Sequence, residues 1–271
     1  MLCPFIACIL LTGIHAYLGL HVIERGVIFV DLALAQMAAL GATLGYLFGA
    51  HLHSTGSFII SSSLALCGAA LFSLTRLRKQ IVPQEALIGI AYAVSSAAAI
   101  IVLSRAPEGG EELKTLLVGH LLFIDWNEIL RMAVLYAIIG TIHWLCRKPL
   151  LQISLHPDQA FAEGRNVRFW DFVFYGTFAF VVTSSVEVAG VLLVFSFLVV
   201  PAVCGAFLCD GIRARLLAGW SVSLLASFLG IAASYYFDFP TGATVVCVFG
   251  VALLMCGLVR AVLGKASALH S

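Results

Sequence analysis

The stretch FWDFVFYGTFAFVVTSSVEVAGVLLVFSFLVVPAVCGAFL, running from Phe169 to Leu208, decides the fold. It is about twice as long as the ~20 mostly apolar residues that carry one helix across a bilayer. Its only charged residues are Asp171, near the start, and Glu187, near the middle. A break at the polar residues between Ser184 and Val188 divides it into two spans, Phe169–Ser184 and Val188–Leu208, the first of them short. Both runs are continuously apolar and do not alternate, which favours spanning helices over a membrane barrel.

Outward from this stretch, charge clusters and Gly/Pro/Ser segments delimit further candidate spans. They are Pro4–Ile23, Val27–Gly49, Ser57–Thr75, Glu85–Ser104 and Ile129–Cys146 before it, and Ala214–Phe237 and Gly242–Leu263 after it. Composition agrees with nine spans in one all-helical membrane domain covering residues 1–271. The chain is 62% hydrophobic and only 11% charged, with a mean hydropathy of +1.06. Soluble domains carry about 25% charged residues, so the greater part of this surface has to face lipid. The net charge is +1, with no basic or acidic block, which argues against a nucleic-acid partner. The apolar N-terminus lacks a positively charged leader and an A-x-A-like cleavage site, and is expected to be a first span and not a removed signal. Eight cysteines without a C-x-x-C pair are expected to be small buried hydrophobes.

Orientation follows from the basic residues. With the N-terminus outside, twelve of the fifteen Lys and Arg residues fall on cytoplasmic segments, and only Arg105, Lys114 and Arg131 fall outside. The positive-inside rule therefore predicts nine spans, N-out and C-in. Small residues recur every fourth position in Gly41, Gly45 and Gly49 and again in Gly219, Ser223 and Ser227. Such stripes let helix backbones approach closely in lipid. The longest cytoplasmic connection is 147–168, where His156-Pro157-Asp158 can open a short helix with Pro157 in its first turn. Outside, LLVGHLLFIDW is too short to span and is expected to be re-entrant or interfacial.

Several segments in this order resemble the permease subunits of the manganese/zinc/iron ABC transporter family. VAGVLLVFSFLVVPAVCGAFL is similar to that family's GVLLV-x-x-LLV-I-PAA-T-A segment, and YYFDFPTGAT, from Tyr235 to Thr244, to its Y-x-L-D-x-P-S-G-A-T turn. HPDQAFAEG, from His156 to Gly164, resembles the family's D-P-E-x-A-x-x-x-G loop. EALIGIAYAVSSAAAIIVLS and LLVGHLLFI resemble its fourth helix and its L-x-F-G-N-I-L segment. The second span departs from the pattern. The family's G-D-A-L-S-H-A, which supplies its metal contacts, aligns with FVDLALAQMAALGATLG so that its Asp falls on Leu32 and its His on Gln36, with Asp31 one position early.

The resemblance implies an importer permease fold in the plasma membrane. It also implies a second copy of the permease, a cytoplasmic ABC ATPase dimer, and an extracytoplasmic metal-binding protein. The cargo would be a divalent metal ion, zinc or manganese ahead of iron, and no resident cofactor is expected. By the same resemblance, Asp158, Ala160, Ala162 and Gly164 would form the helix that docks on the ATPase. No G-x-x-x-x-G-K-[ST] phosphate loop occurs in the chain, so ATP hydrolysis is expected in a separate subunit. The alternatives are a permease for a metal chelate such as a siderophore or corrinoid, and a stand-alone secondary carrier.

Polar residues at membrane depth are the candidates for ion contact. Asp31 lies in the cytoplasmic half of the second span, with Gln36 about one turn deeper and His15 near the middle of the first span. His51 and His53 form an outside H-x-H pair able to receive a borderline cation. His143, His120 and Glu187 are weaker candidates. Against function, Asp31 can be solvated near the headgroups or paired with Arg25, and Asp238 reads as a turn residue.

Overall fold

The computed structural model describes residues 2–50, 54–76, 82–105 and 119–268. His51 and His53 lie outside the described residues. The architecture is entirely helical: α1 (Leu2–Arg25), α2 (Val30–Leu47), α3 (Thr55–Thr75), α4 (Gln84–Leu103), α5 (Trp126–Leu145), α6 (Arg147–Leu155), α7 (Pro157–Ala162), α8 (Val167–Leu208), α9 (Ile212–Phe237) and α10 (Thr241–Ala268). Among them, eight helices are long and apolar enough to cross a membrane.

Helix starts follow local chemistry. Ser54 caps α3 by accepting from the Ser57 amide, and Asn166 caps α8 by accepting from the Phe169 amide. Asp125 and Glu128 form a reciprocal capping box at the start of α5. Pro157 opens α7 in its first turn, as the sequence predicts. Asp238 closes α9 in the left-handed conformation (φ 54°), which settles it as a cap residue.

The long α8 counts as one helix by hydrogen bonding but crosses the membrane twice. Its first limb, 167–189, brings Asp171 beside Arg25 at the C-terminal end of α1. In its second limb, 191–208, Gly205 lies against the Arg215 backbone, and Arg215 reaches Glu24 at that same end of α1. In a straight helix at ~1.5 Å per residue, positions 171 and 205 would be about 50 Å apart. The chain therefore reverses at Gly190, whose φ of 75° and ψ of 159° belong to glycine alone. Gly119 (φ 71°) fits against the backbone of Val188–Gly190, and a side chain there would collide with it. The limbs are about 35 and 27 Å long by the same rise, each close to the ~30 Å hydrocarbon core.

The described residues thus make nine crossings, which agrees with the alternation required by the positive charges. The expected break is displaced: it lies at Gly190 and not between Ser184 and Val188, so the sixth span is longer than its sequence suggested. Glu187 sits near the outer end of the limb, within the helix and lining a cavity there.

The core is built around α8, which packs on α1, α3, α9 and α10, while α2 packs between α3 and α4. Small residues set the close approaches. A Cβ on Gly41 would lie 2.6 Å from Ser61 Cα, and one on Gly219 would lie 2.8 Å from the Pro201 carbonyl oxygen. Ser223 hydrogen-bonds to Thr12 across α9 and α1 at 2.8 Å. Gly49 does not belong to this stripe. It lies past the end of α2 with φ 86° and closes the helix.

Candidate functional site

Asp31 occupies the first turn of α2, where the helix dipole favours a negative charge. It is 0% exposed, and among the described residues neither carboxylate oxygen has a hydrogen-bond partner. The sequence alternative of pairing with Arg25 does not occur, because Arg25 is bound to Asp171. Gln36, also buried, stands about 140° around the helix from Asp31, whereas Leu32 and Gln36 lie only about 40° apart. Leu32 is partly exposed. The one-residue displacement of the acid thus turns it off the Leu32–Gln36 face and into the protomer.

His15 lies at mid-membrane on α1 and is fully buried. Its Nδ1 donates to the Leu11 carbonyl at 3.0 Å, which leaves Nε2 facing Ser185 Oγ at 3.2 Å. Ser185 is also 2.7 Å from the Tyr136 hydroxyl. The three side chains join α1, α5 and the first limb of α8. Helices α1 and α2 share no extended packing, so His15 and Asp31 belong to separate environments. Among the described residues, no group of three His, Cys, Asp or Glu side chains is placed to hold a metal ion.

Further inward, His143 contacts the Tyr17 hydroxyl at 3.3 Å and Thr177 Oγ1 at 2.7 Å. Below it lies a charged cluster. Arg25 Nη1 donates to Asp171 Oδ1 at 2.5 Å, and Arg76 Nη1 donates to the same oxygen at 3.1 Å. Arg25 Nε and His21 Nδ1 both meet Ser154 Oγ, at 2.9 and 2.8 Å. The sequence used Arg76 only to orient the chain, offered Arg25 as a partner for Asp31, and did not single out Asp171. The available signal was a lone carboxylate near the start of a long apolar run.

At the outer end, a cavity of about 430 Å³ opens between α3, α5 and α8. Its polar lining is Ser54, Thr55, Glu128, Arg131, Ser184 and Glu187. His120 bonds Glu128 at 3.1 Å beside a short 3-10 turn, Leu121–Phe123. Glu187, one of the weaker candidates, lines this cavity.

On the cytoplasmic side, α6 and α7 form a hairpin around a small core of Ile153, Ala160 and Val167, joined by Phe161 and Trp170. Asp158, Ala162 and Gly164 are exposed on it, whereas Ala160 is buried. Gln152 donates to Glu163 at 2.8 Å, and that bond, followed by Arg165, holds the Glu163 carboxyl below its usual range.

The sequence matches the ABC 3 transport family over residues 1–260. It is similar to a probable iron transport system membrane protein of Haemophilus influenzae, 24% identical over 86% of this chain and 80% of the relative. It is also similar to the manganese transport system membrane protein MntB of Synechocystis, 25% identical over 86% of this chain and 74% of the relative. Among solved structures, PsaBC from Streptococcus pneumoniae in complex with Fab superposes with a TM-score of 0.78 at 21% identity. The match covers 94% of this chain and 90% of that one.

Proposed function

Because the chain belongs to the ABC 3 transport family, a family of non-enzymatic permease subunits in the plasma membrane, we propose that it provides the transmembrane path of an ATP-driven importer for a divalent metal ion, zinc or manganese ahead of iron. The observation that carries this reading is the cytoplasmic α6–α7 hairpin. It is a compact unit with its own small core, seated between the fifth and sixth crossings, and it presents Asp158, Ala162 and Gly164 outward. A separate ATPase dimer docks there and supplies the energy, consistent with the lack of a phosphate-binding loop in the sequence. The relatives named for iron and manganese transport support a metal cargo.

Two copies of the chain face one another across the path, and an extracytoplasmic binding protein delivers the ion. Asp31, Gln36 and His15 are the ion contacts within the membrane, with His51 and His53 receiving it outside. Among the described residues of one protomer no group of three His, Cys, Asp or Glu side chains is gathered, and Asp31 and His15 are buried within it. Transport then follows from alternating access, with ATP binding driving the hairpins and the hairpins driving the helices.

A second reading has its own observation. Leu32 and Gln36 stand where the family resemblance expects Asp and His. A chelated ion arrives with its coordination shell already filled and needs no such ligands, so a siderophore or corrinoid cargo fits that departure. Both readings are tested by uptake into proteoliposomes holding the chain, its ATPase and its binding protein, offered zinc, manganese, ferrous iron and a corrinoid, with and without ATP. ATP-dependent uptake of one free divalent ion is expected. Uptake of the corrinoid alone selects the second reading, and metal uptake without the ATPase rejects both in favour of a secondary carrier.

A further inference from the structure

We propose that Asp171 is the positioning residue through which movement of the α6–α7 hairpin reaches the transmembrane helices, an inference that rests on the ATPase-docking reading of that hairpin. Among the described residues, three hydrogen bonds tie α6 to α1 and to Arg76 after α3, and they meet at two adjacent positions, while Arg147 bonds only back to Trp144 of the preceding α5. Ser154 Oγ receives Arg25 Nε at 2.9 Å and pairs with His21 at 2.8 Å, while the Ile153 carbonyl receives Arg76 Nη2 at 3.4 Å. Both arginines then converge on one oxygen of Asp171. Arg25 ends α1, Arg76 follows α3, and Asp171 lies just over one turn into α8. A single carboxylate therefore ties three transmembrane segments to the residues that hold α6.

Two properties suit this cluster to transmission and not to static bracing alone. It is dry: Arg25 and Asp171 side chains are 0% exposed and Arg76 is 7% exposed. In such surroundings ion pairs are little screened, and displacing one partner is felt by the others. It is also unsaturated. Two guanidiniums share one carboxylate, and Asp171 Oδ2 and Arg25 Nη2 have no partner. A shift of α6 can pass a guanidinium from Oδ1 to Oδ2 without breaking the ion pair. The arrangement thus has a second position available at low cost, which a two-state relay requires. The guanidinium of Arg25 also lies 4.1 Å over the Phe174 ring, so its movement is transmitted to α8 through packing as well as charge.

The hairpin reaches α8 by an apolar route too, through Ala160, Val167 and Trp170. That route leads only to the start of α8. Helix α6 also packs directly on α1, where Leu150 joins the main core, but it is the polar route that adds the tie to Arg76 at the end of α3, and α3 is the packing partner of α2, which carries Asp31.

The test uses the reconstituted complex of permease, ATPase and binding protein, with zinc and manganese as cargo. Asp171→Asn keeps the side-chain shape and removes the charge. Ser154→Ala keeps all three charges and removes both side-chain links from α6 to α1, leaving only the Ile153 carbonyl bond to Arg76. Both are measured for ATPase association, ATP hydrolysis and metal moved per ATP. Expected for both is retained association with continued hydrolysis, and a loss of roughly tenfold in metal moved per ATP, within the usual span of coupling effects. Charge exchange, Asp171→Arg with Arg76→Asp, is expected to recover part of the loss, which a purely structural role would not predict. Metal moved per ATP within about twofold of wild type in Ser154→Ala overturns the proposal, even where Asp171→Asn fails to fold. If the wild-type complex hydrolyses ATP but carries neither metal, it is the cargo reading that fails. The comparison then rests on stimulation of hydrolysis by the binding protein. Lost stimulation supports the relay, and unchanged stimulation overturns it.

Discussion

Two buried carboxylates near the cytoplasmic side of the bundle, Asp31 and Asp171, share chemistry and depth of burial but differ in company. Both are 0% exposed. Asp171 is gripped by Arg25 and Arg76 and lies where four helices meet. Asp31 has no hydrogen-bond partner on either oxygen among the described residues and stands on α2, which packs between α3 and α4. Burying a carboxylate is costly wherever it happens, and pairing offsets the cost only where donors are supplied. Asp171 therefore belongs to the folded framework. Asp31 has no such offset among the described residues, which supports its proposed role as an ion contact.

The comparison is broken most directly by deleting each acid. Asp171→Ala leaves two guanidiniums without their buried counter-charge and is expected to destabilise the protein by about 3–5 kcal/mol, the usual loss when one partner of a buried ion pair is removed. Thermal unfolding in detergent measures it. A loss below about 1 kcal/mol would mean the cluster behaves as a surface pair.

The second prediction concerns the turn that brings Asp171 to Arg25. Gly190→Ala places a side chain at φ 75° and is expected to cost about 1–3 kcal/mol in strain. Uptake is expected to fall with stability, because the inner ends of both α8 limbs shift. An unchanged unfolding temperature would show that the reversal tolerates a Cβ.

Asp31→Asn sharpens the contrast from the other side. Removal of an unpaired buried charge is expected to leave stability unchanged or raise it by up to about 1 kcal/mol. Metal uptake is nonetheless expected to fall roughly tenfold or more, as for lost contacts around a metal. Stability and transport thus move separately at Asp31 and together at Asp171→Ala. A stability loss as large as that of Asp171→Ala would place Asp31 in the framework instead.

The smallest effect is expected at Glu163, an exposed carboxylate with a neighbouring donor. Its pKa is held down chiefly by Gln152 and next by Arg165. Whatever it contributes is present above the ordinary carboxylate range and fades as pH falls through its lowered value. Glu163→Gln is expected to leave the unfolding temperature unchanged at neutral pH. A measurable shift would make the hairpin surface part of the stabilising framework.

The span pattern was legible because lipid imposes a simple rule on sequence: long apolar runs must be helices, and positive charges stay inside. Pro157 as a helix start and the stripe of Gly219, Ser223 and Ser227 were legible on similar local grounds. The break in the longest run was read a few residues early. Glu187 and its neighbouring serines look like a loop to a polarity argument, whereas the chain turned where a glycine permits φ of 75°. The candidate site was less legible. Asp31, His15 and Gln36 could be selected for depth, but depth does not say which way a helix is turned or which helices adjoin.

By itself, then, the sequence determined an all-helical membrane protein with nine crossings, its orientation, its short cytoplasmic helix and its family resemblance. These are properties of local periodicity, charge and motif order. Only the tertiary structure decided that Asp171 unites Arg25 and Arg76, that Asp31 stands alone, and that His15 meets Ser185 and Tyr136. Those pairings join residues far apart in the chain. Hydrogen bonds and ion pairs act over a few ångströms, and in a bundle of antiparallel helices the partner within that distance is chosen by packing and rotation, which no single segment encodes.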